Sequence, residues 1–132
     1  MAASGGYMFD KSTEQRIGKL LEKISNDIDL EAIALISREG RRVAFFARRE
    51  VDPDLLSALS AALLSMGEMS VQKMEQGSLW EVIVRGAGGY TILTSAGPRL
   101  LLIGAGSEEA NLGLVIRILR EYAKKIEEAL EP

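Results

Sequence analysis

Two short stretches, Ala32-Ile33-Ala34-Leu35-Ile36 and Leu100-Leu101-Leu102-Ile103, are apolar at every position. A strand with one wet face alternates in polarity. A run without alternation, closed at both ends by polar residues or glycine, reads as a strand covered on both faces. The chain therefore needs apolar layers above and below one sheet, and its helices must be divided between the two.

The remaining pattern supplies those layers. A first helix is expected from about Ser12 to Ser25, with Ile17, Leu20, Leu21 and Ile24 on one stripe and Ser12 with Gln15 as a capping box. After Ala32 to Ile36, the turn Arg38-Glu39-Gly40 leads into a return strand, Arg41 to Ala47. Asp52 as N-cap and Pro53 at the first helical position open a second helix that runs to about Met74. Leu79 to Arg85 alternates, with Trp80, Val82 and Val84 on one side and Glu81 and Arg85 on the other. Gly86-Ala87-Gly88-Gly89 is a turn, Tyr90 to Ser95 a strand, and Gly97-Pro98 a turn into Leu100 to Ile103, which completes an antiparallel meander. The last helix is expected from Glu108 or Glu109 to Leu130, its acidic start suiting the positive end of the helix dipole. Leu112, Val115, Ile116, Leu119, Ala123, Ile126 and Leu130 form its inner stripe.

The fold class that follows is α/β of the α+β kind, in the order αββαβββα. Its five-stranded antiparallel sheet carries the second helix on one face and the first and last on the other. Residues 1–11 are read as a flexible N-terminal segment and 12–132 as a single domain.

Composition limits the chemistry. The chain has neither cysteine nor histidine, so Ser-His-Asp and Cys-His sites and thiolate metal sites cannot be built within it. No catalytic, metal-binding or cofactor-binding residue is assigned, and an enzyme is not expected. A net charge of -3 gives no cationic field for nucleic acid. No apolar run approaches the roughly 20 residues of a membrane span, and the first residues do not form a signal peptide, so a cytoplasmic setting is expected. Gly104-Ala105-Gly106 lacks the third glycine of a dinucleotide-binding turn and is followed by Ser107-Glu108-Glu109; it is read as a strand-to-helix turn. Gly86 to Gly89 is read as a hairpin turn rather than a phosphate nest.

The second helix is the most informative stretch. Leu55, Leu59, Leu63, Met66 and Met69, with Ala62, make a stripe expected to rest on the sheet. Its other face, Ser57, Ser60, Ala61, Leu64, Gly67 and Val71, is uncharged except for Glu68. A helix on the surface of a monomer should be polar there. That face is therefore expected to meet a second copy, with edge pairing through Leu79, Glu81 and Ile83 of the next strand. Met66, Met69 and Met74 are read as core and dimer packing, with an adaptable binding surface as the other use.

Four stretches resemble the Roadblock/dynein light chain family, most nearly its prokaryotic MglB-like branch. They are Ala32 to Gly40, the small-residue helix Leu59 to Met69, Gly89-Tyr90-Thr91-Ile92-Leu93, and Ala110 to Arg117. The resemblance runs from about Glu14 to Leu130 and is carried by order and spacing. The first helix is longer before Asn26 than in some short members, and Tyr7-Met8-Phe9 has no counterpart. The resemblance implies a profilin-like Roadblock fold and a homodimer with antiparallel central helices and sheets joined edge to edge. It also implies a module that binds or regulates a Ras-like small GTPase, as scaffold or as non-catalytic regulator of GTP hydrolysis. Members sit in dynein and in lysosomal signalling complexes. The family has no conserved catalytic residue, so what carries over is an interface. Arg41, Arg42, Arg48 and Arg49, near Arg38, are then candidate partner-binding residues, able to place an arginine finger in trans; a solvated edge is their other use. Two alternatives stand beside this reading: a structural scaffold subunit without a GTPase partner, and a small-ligand sensor of related fold. The sensor requires an internal cavity, whereas Leu35, Phe45, Trp80, Val82 and Leu101 are expected to fill the core.

Overall fold

The computed structural model describes residues 9–107 and 111–130. Its elements are α1 (Lys11–Asp27), β1 (Ala32–Ser37), β2 (Arg42–Ala47), α2 (Pro53–Lys73), β3 (Glu81–Gly86), β4 (Gly89–Ser95), β5 (Leu100–Ser107) and α3 (Leu112–Leu130). This is the expected order. The strands form one antiparallel sheet in the order β2-β1-β5-β4-β3, which leaves β2 and β3 as its edges. A register shift between Leu35 and Ile36 gives β1 and β2 a bulge.

The sheet divides two cores, as the doubly apolar β1 and β5 require. Ile33, Leu35, Ile92 and Leu102 face α1 and α3, where they meet Ile17, Leu21, Ile24, Val115, Leu119 and Ile126. Ala34, Ile36, Leu93, Leu101 and Ile103 face α2, where they meet Leu64. Consecutive residues of one strand thus serve opposite layers, which is why neither strand can alternate in polarity.

Helix starts follow capping chemistry. Asp52 caps α2, accepting from the backbone N–H of Asp54 at 3.0 Å, with Pro53 behind it as expected. At α1 the cap is Asp10, not Ser12: its carboxylate accepts from Thr13 N–H at 2.7 Å, a bond that holds its pKa below the ordinary value. Lys11 therefore belongs to α1, and Phe9 packs against the core. At the start of α3, Asn111 Oδ1 accepts from Leu114 N–H at 3.1 Å, and Leu112 is the first helical residue. The expected start at Glu108 or Glu109 lies outside the described residues.

Gly104 and Gly106 lie within β5 and not in a strand-to-helix turn. Their lack of a side chain serves packing. A Cβ on Gly104 would meet Leu30 at 3.0 Å and Leu119 at 3.3 Å, and one on Gly106 would meet the Tyr90 hydroxyl oxygen at 2.5 Å. Tyr90 is paired with Gly106 across the β4–β5 ladder. Its buried hydroxyl has no hydrogen-bond partner among the described residues. Burial, followed by the charge of Asp29, raises its pKa. Removing an unsatisfied buried hydroxyl removes its desolvation cost, so Tyr90→Phe is expected to stabilise the fold by roughly 1 kcal/mol at neutral pH. The folded pKa lies above the unfolded one, so stability held below about pH 10 falls as the pH rises past it. Urea titrations at neutral and alkaline pH check both points, because the Phe variant should also show a shallower alkaline decline.

Candidate functional site

The structure turns the expected faces of α2 about, except that Leu63 of the expected inner stripe does pack against the core beneath the helix. Ser57, Ser60 and Leu64 are buried against the sheet, whereas Leu55 and Leu59 are 56% and 53% exposed and Met66 and Met69 64% and 51%. Each serine hydroxyl donates to its own helix, Ser57 to Pro53 O at 2.9 Å and Ser60 to Leu56 O at 2.7 Å. With that bond made, a serine enters an apolar interface at little cost. The small residues bring the helix close to its seat. A Cβ on Gly67 would meet Val82 Cγ2 at 2.8 Å and Leu79 Cδ2 at 3.1 Å, so bulk on the sheet replaces bulk on the helix. The expected interface residues Ser57, Ser60 and Leu64 are therefore occupied within the protomer, while Ala61, Gly67 and Val71 are half-buried.

What remains outside is a long apolar stripe. By length and composition alone the helix Pro53–Lys73 is apolar enough to cross a membrane, but here it lies along a sheet. Beyond its C-terminal end, Met74 and Trp80 are also exposed, Trp80 at 74%. This corrects the expectation that Trp80 fills the core: it stands just before β3, an edge strand of the sheet. Along β3, Ile83 and Val84 are exposed as well. Among the described residues, the outward face of α2 and the open edge of β3 are apolar features without a partner.

Several expected contact residues have partners inside the protomer. Glu68 accepts from Arg38 Nη1 at 3.0 Å, and Arg38 Nη2 reaches Ser95 Oγ at 3.3 Å. Glu81 is held by Arg120, with Nη2 to Oε1 at 2.7 Å, and this bond raises the arginine's pKa. Leu79 is half-buried beneath α2. An open cleft of about 530 Å³ lies beside Trp80, lined also by Leu79, Pro98, Arg38, Arg120 and Lys124. With Arg38 and Arg120 already paired to carboxylates, it holds little surplus charge for an anion. Beneath α2, a crevice lined by Leu64, Leu93 and Leu101 encloses about 10 Å³. That is room for about one water molecule, far short of a sensor's ligand.

The arginines do not form one cluster. Arg41 and Arg42 stand at the start of edge strand β2, and Arg48 and Arg49 follow its end. At roughly 3.3 Å per residue the two pairs are about 17 Å or more apart. Arg42 pairs with Asp54 at 2.8 Å, and Arg49 pairs with Glu31 at 2.8 Å. Arg48 pairs with Asp29 and donates to Asn26 Oδ1 at 3.0 Å. Such pairs flank and charge the β2 edge, a means of keeping it from pairing with other strands.

Comparison with known proteins bears on this geometry. The family model for the Roadblock/LC7 domain matches residues 16–105. An uncharacterised protein of Methanocaldococcus jannaschii is 23% identical over 110 residues, spanning 83% of this chain and 96% of that protein. MglB of Myxococcus xanthus superposes with a TM-score of 0.83 at 18% identity, over 96% of this chain and 97% of that one. An MglB described as having a tetrameric arrangement gives a TM-score of 0.86 at 18% identity, over 96% of each chain. These structures share the fold: a five-stranded antiparallel sheet with one helix on one face and two on the other. With the Roadblock/LC7 model matching most of its length, the chain belongs to the Roadblock/LC7 family.

Proposed function

We propose that this protein is a homodimeric interaction module that binds and regulates a Ras-like small GTPase. The observation that carries the reading is the outward apolar face of α2 beside the open edge of β3. Leu55, Leu59, Met66 and Met69 each become covered when a second copy packs on that face. At roughly 1 kcal/mol for each half-exposed side chain, the four from each copy offset much of the about 4–15 kcal/mol that rigid-body association costs. Pairing of β3 with its copy, through Ile83 and the free backbone groups, adds to this. The tetrameric arrangement of one MglB supports self-association in this fold. Membership of the Roadblock/LC7 family supports a regulatory role around small GTPases in general terms, and a non-enzymatic one. The mechanism is surface complementarity. Paired α2 helices and their adjoining loops present a platform to the GTPase switch regions, and any stimulated hydrolysis comes from residues of the GTPase itself.

Leu59→Glu tests the self-association. It places a charge on the outward face while leaving both cores untouched. Light scattering is expected to show a monomer with an unchanged circular dichroism spectrum, the dimer dissociation constant having risen at least about tenfold, or ~1.4 kcal/mol. A dimer that persists unchanged rejects the interface. Pull-down against the host's small GTPases in GDP and GTP forms tests the partner, and capture of neither form favours a scaffold subunit.

A further inference from the structure

Every methionine among the described residues lies on α2 or at its C-terminal cap, and all three are open. Met66 and Met69 share the outward face with Leu55 and Leu59, and Met74 follows at the cap, 67% exposed. The chain has five methionines and no cysteine, so thioethers are its only sulfur groups. A thioether is apolar and adaptable, but its oxidised form is polar and disrupts a methionine-rich interface. Leucine, which fills the other half of the same face, does not undergo this chemistry. Among the described residues the thioethers are thus confined to the C-terminal half of α2 and its cap.

We propose that Met66, Met69 and Met74 form a modification site for hydroperoxides, and that their oxidation separates the protein from its second copy. The proposal rests on the self-association reading above. The sulfur lone pair attacks the terminal peroxide oxygen, an S–O bond forms as the O–O bond breaks, and the proton on the transferred oxygen passes to the departing oxygen, which leaves as water from hydrogen peroxide or as an alcohol from an organic hydroperoxide. The sulfur loses two electrons and the peroxide gains them. The sulfoxide oxygen is a strong hydrogen-bond acceptor, and the leucine and alanine side chains of the N-terminal half of that face, Leu55, Leu59 and Ala62, offer it no donor. Free protomers expose the sulfurs and associated ones cover them. Oxidation therefore draws on the free pool and holds it apart by mass action. All three side chains lie outside both cores, so the protomer keeps its fold. A methionine sulfoxide reductase reverses the step.

The test is a dilution series by analytical ultracentrifugation on the full chain, before and after hydrogen peroxide, with mass spectrometry counting the oxygens added to the α2 peptide. A Met66→Leu, Met69→Leu, Met74→Leu variant is run in parallel; it keeps the apolar face and lacks the sulfur. The dissociation constant of the wild type is expected to rise at least about tenfold on oxidation. That of the variant should not change, and sulfoxide reductase treatment should restore the wild type. Oxidised α2 with an unchanged dissociation constant overturns the proposal and leaves the dimer standing. An equal response of the variant overturns it by placing the effect elsewhere. Untreated wild type that is monomeric at every concentration overturns both the proposal and the self-association reading.

Discussion

Leu64→Ala is expected to lower the unfolding free energy by about 2–5 kcal/mol, whereas Leu59→Ala, five residues earlier on the same helix, is expected to change it by less than about 0.5 kcal/mol. The residue type and the helix are shared, so propensity cancels and environment decides. Leu64 is 5% exposed and packs among Ala34, Ile36, Leu93, Leu101 and Ile103, all on rigid strands of the sheet. A cavity there cannot collapse, because the strands are fixed by their ladders on both sides. Leu59 is 53% exposed and leaves no cavity within the protomer. Urea unfolding should be followed at protomer concentrations below the dimer dissociation constant, since association adds apparent stability. Equal costs at the two positions would show that the faces of α2 had been assigned wrongly.

Gly89→Ala should cost about 1–3 kcal/mol by overpacking, with Gly88→Ala as its near-neutral neighbour. A Cβ on Gly89 would stand 2.3 Å from the carbonyl oxygen of Gly106 and 3.4 Å from the Cα of Ser107. The obstacle is backbone. Gly106 and Ser107 are paired with Tyr90 and Gly89 in the β4–β5 ladder, so relief requires displacing the strand or opening the ladder. Gly88 has nothing within 4 Å of its added Cβ. Thermal unfolding of the two variants separates steric exclusion from a general intolerance of the glycine-rich turn.

The layering of the fold was legible because it rests on period and capping. The two unbroken apolar runs require helices on both faces, and Asp52-Pro53 marks the start of α2 at the residue. The orientation of α2 was not legible from size ranking, which places large apolar side chains inward. The helix instead rests on its small residues, because Val82 and Leu93 of the sheet, with Leu79 from the segment before β3, fill the gap. A cue was present in Ser57 and Ser60, each spaced to bond the carbonyl four residues earlier and so able to be buried. Trp80 escapes the pattern for a different reason: Val82 within β3 packs against the core, but Trp80 lies one residue before this edge strand and is left exposed. The two arginine pairs are parted by the length of β2, and Arg42, Arg48 and Arg49 are taken up by carboxylates from α2 and the segment before β1. Those carboxylates come from elsewhere in the chain, and no local pattern announces them.

The narrow seat of α2 has a consequence for motion. Of its 21 residues, only Ser57, Ser60 and Leu64 are buried, while α1 and α3 share the larger core on the opposite side. In a lone protomer the first layer to lift away is therefore α2, with the other half of the molecule still intact. A docked neighbour acts as a brace across its back, so the amide-exchange lifetime of this one helix reports how long the neighbour stays.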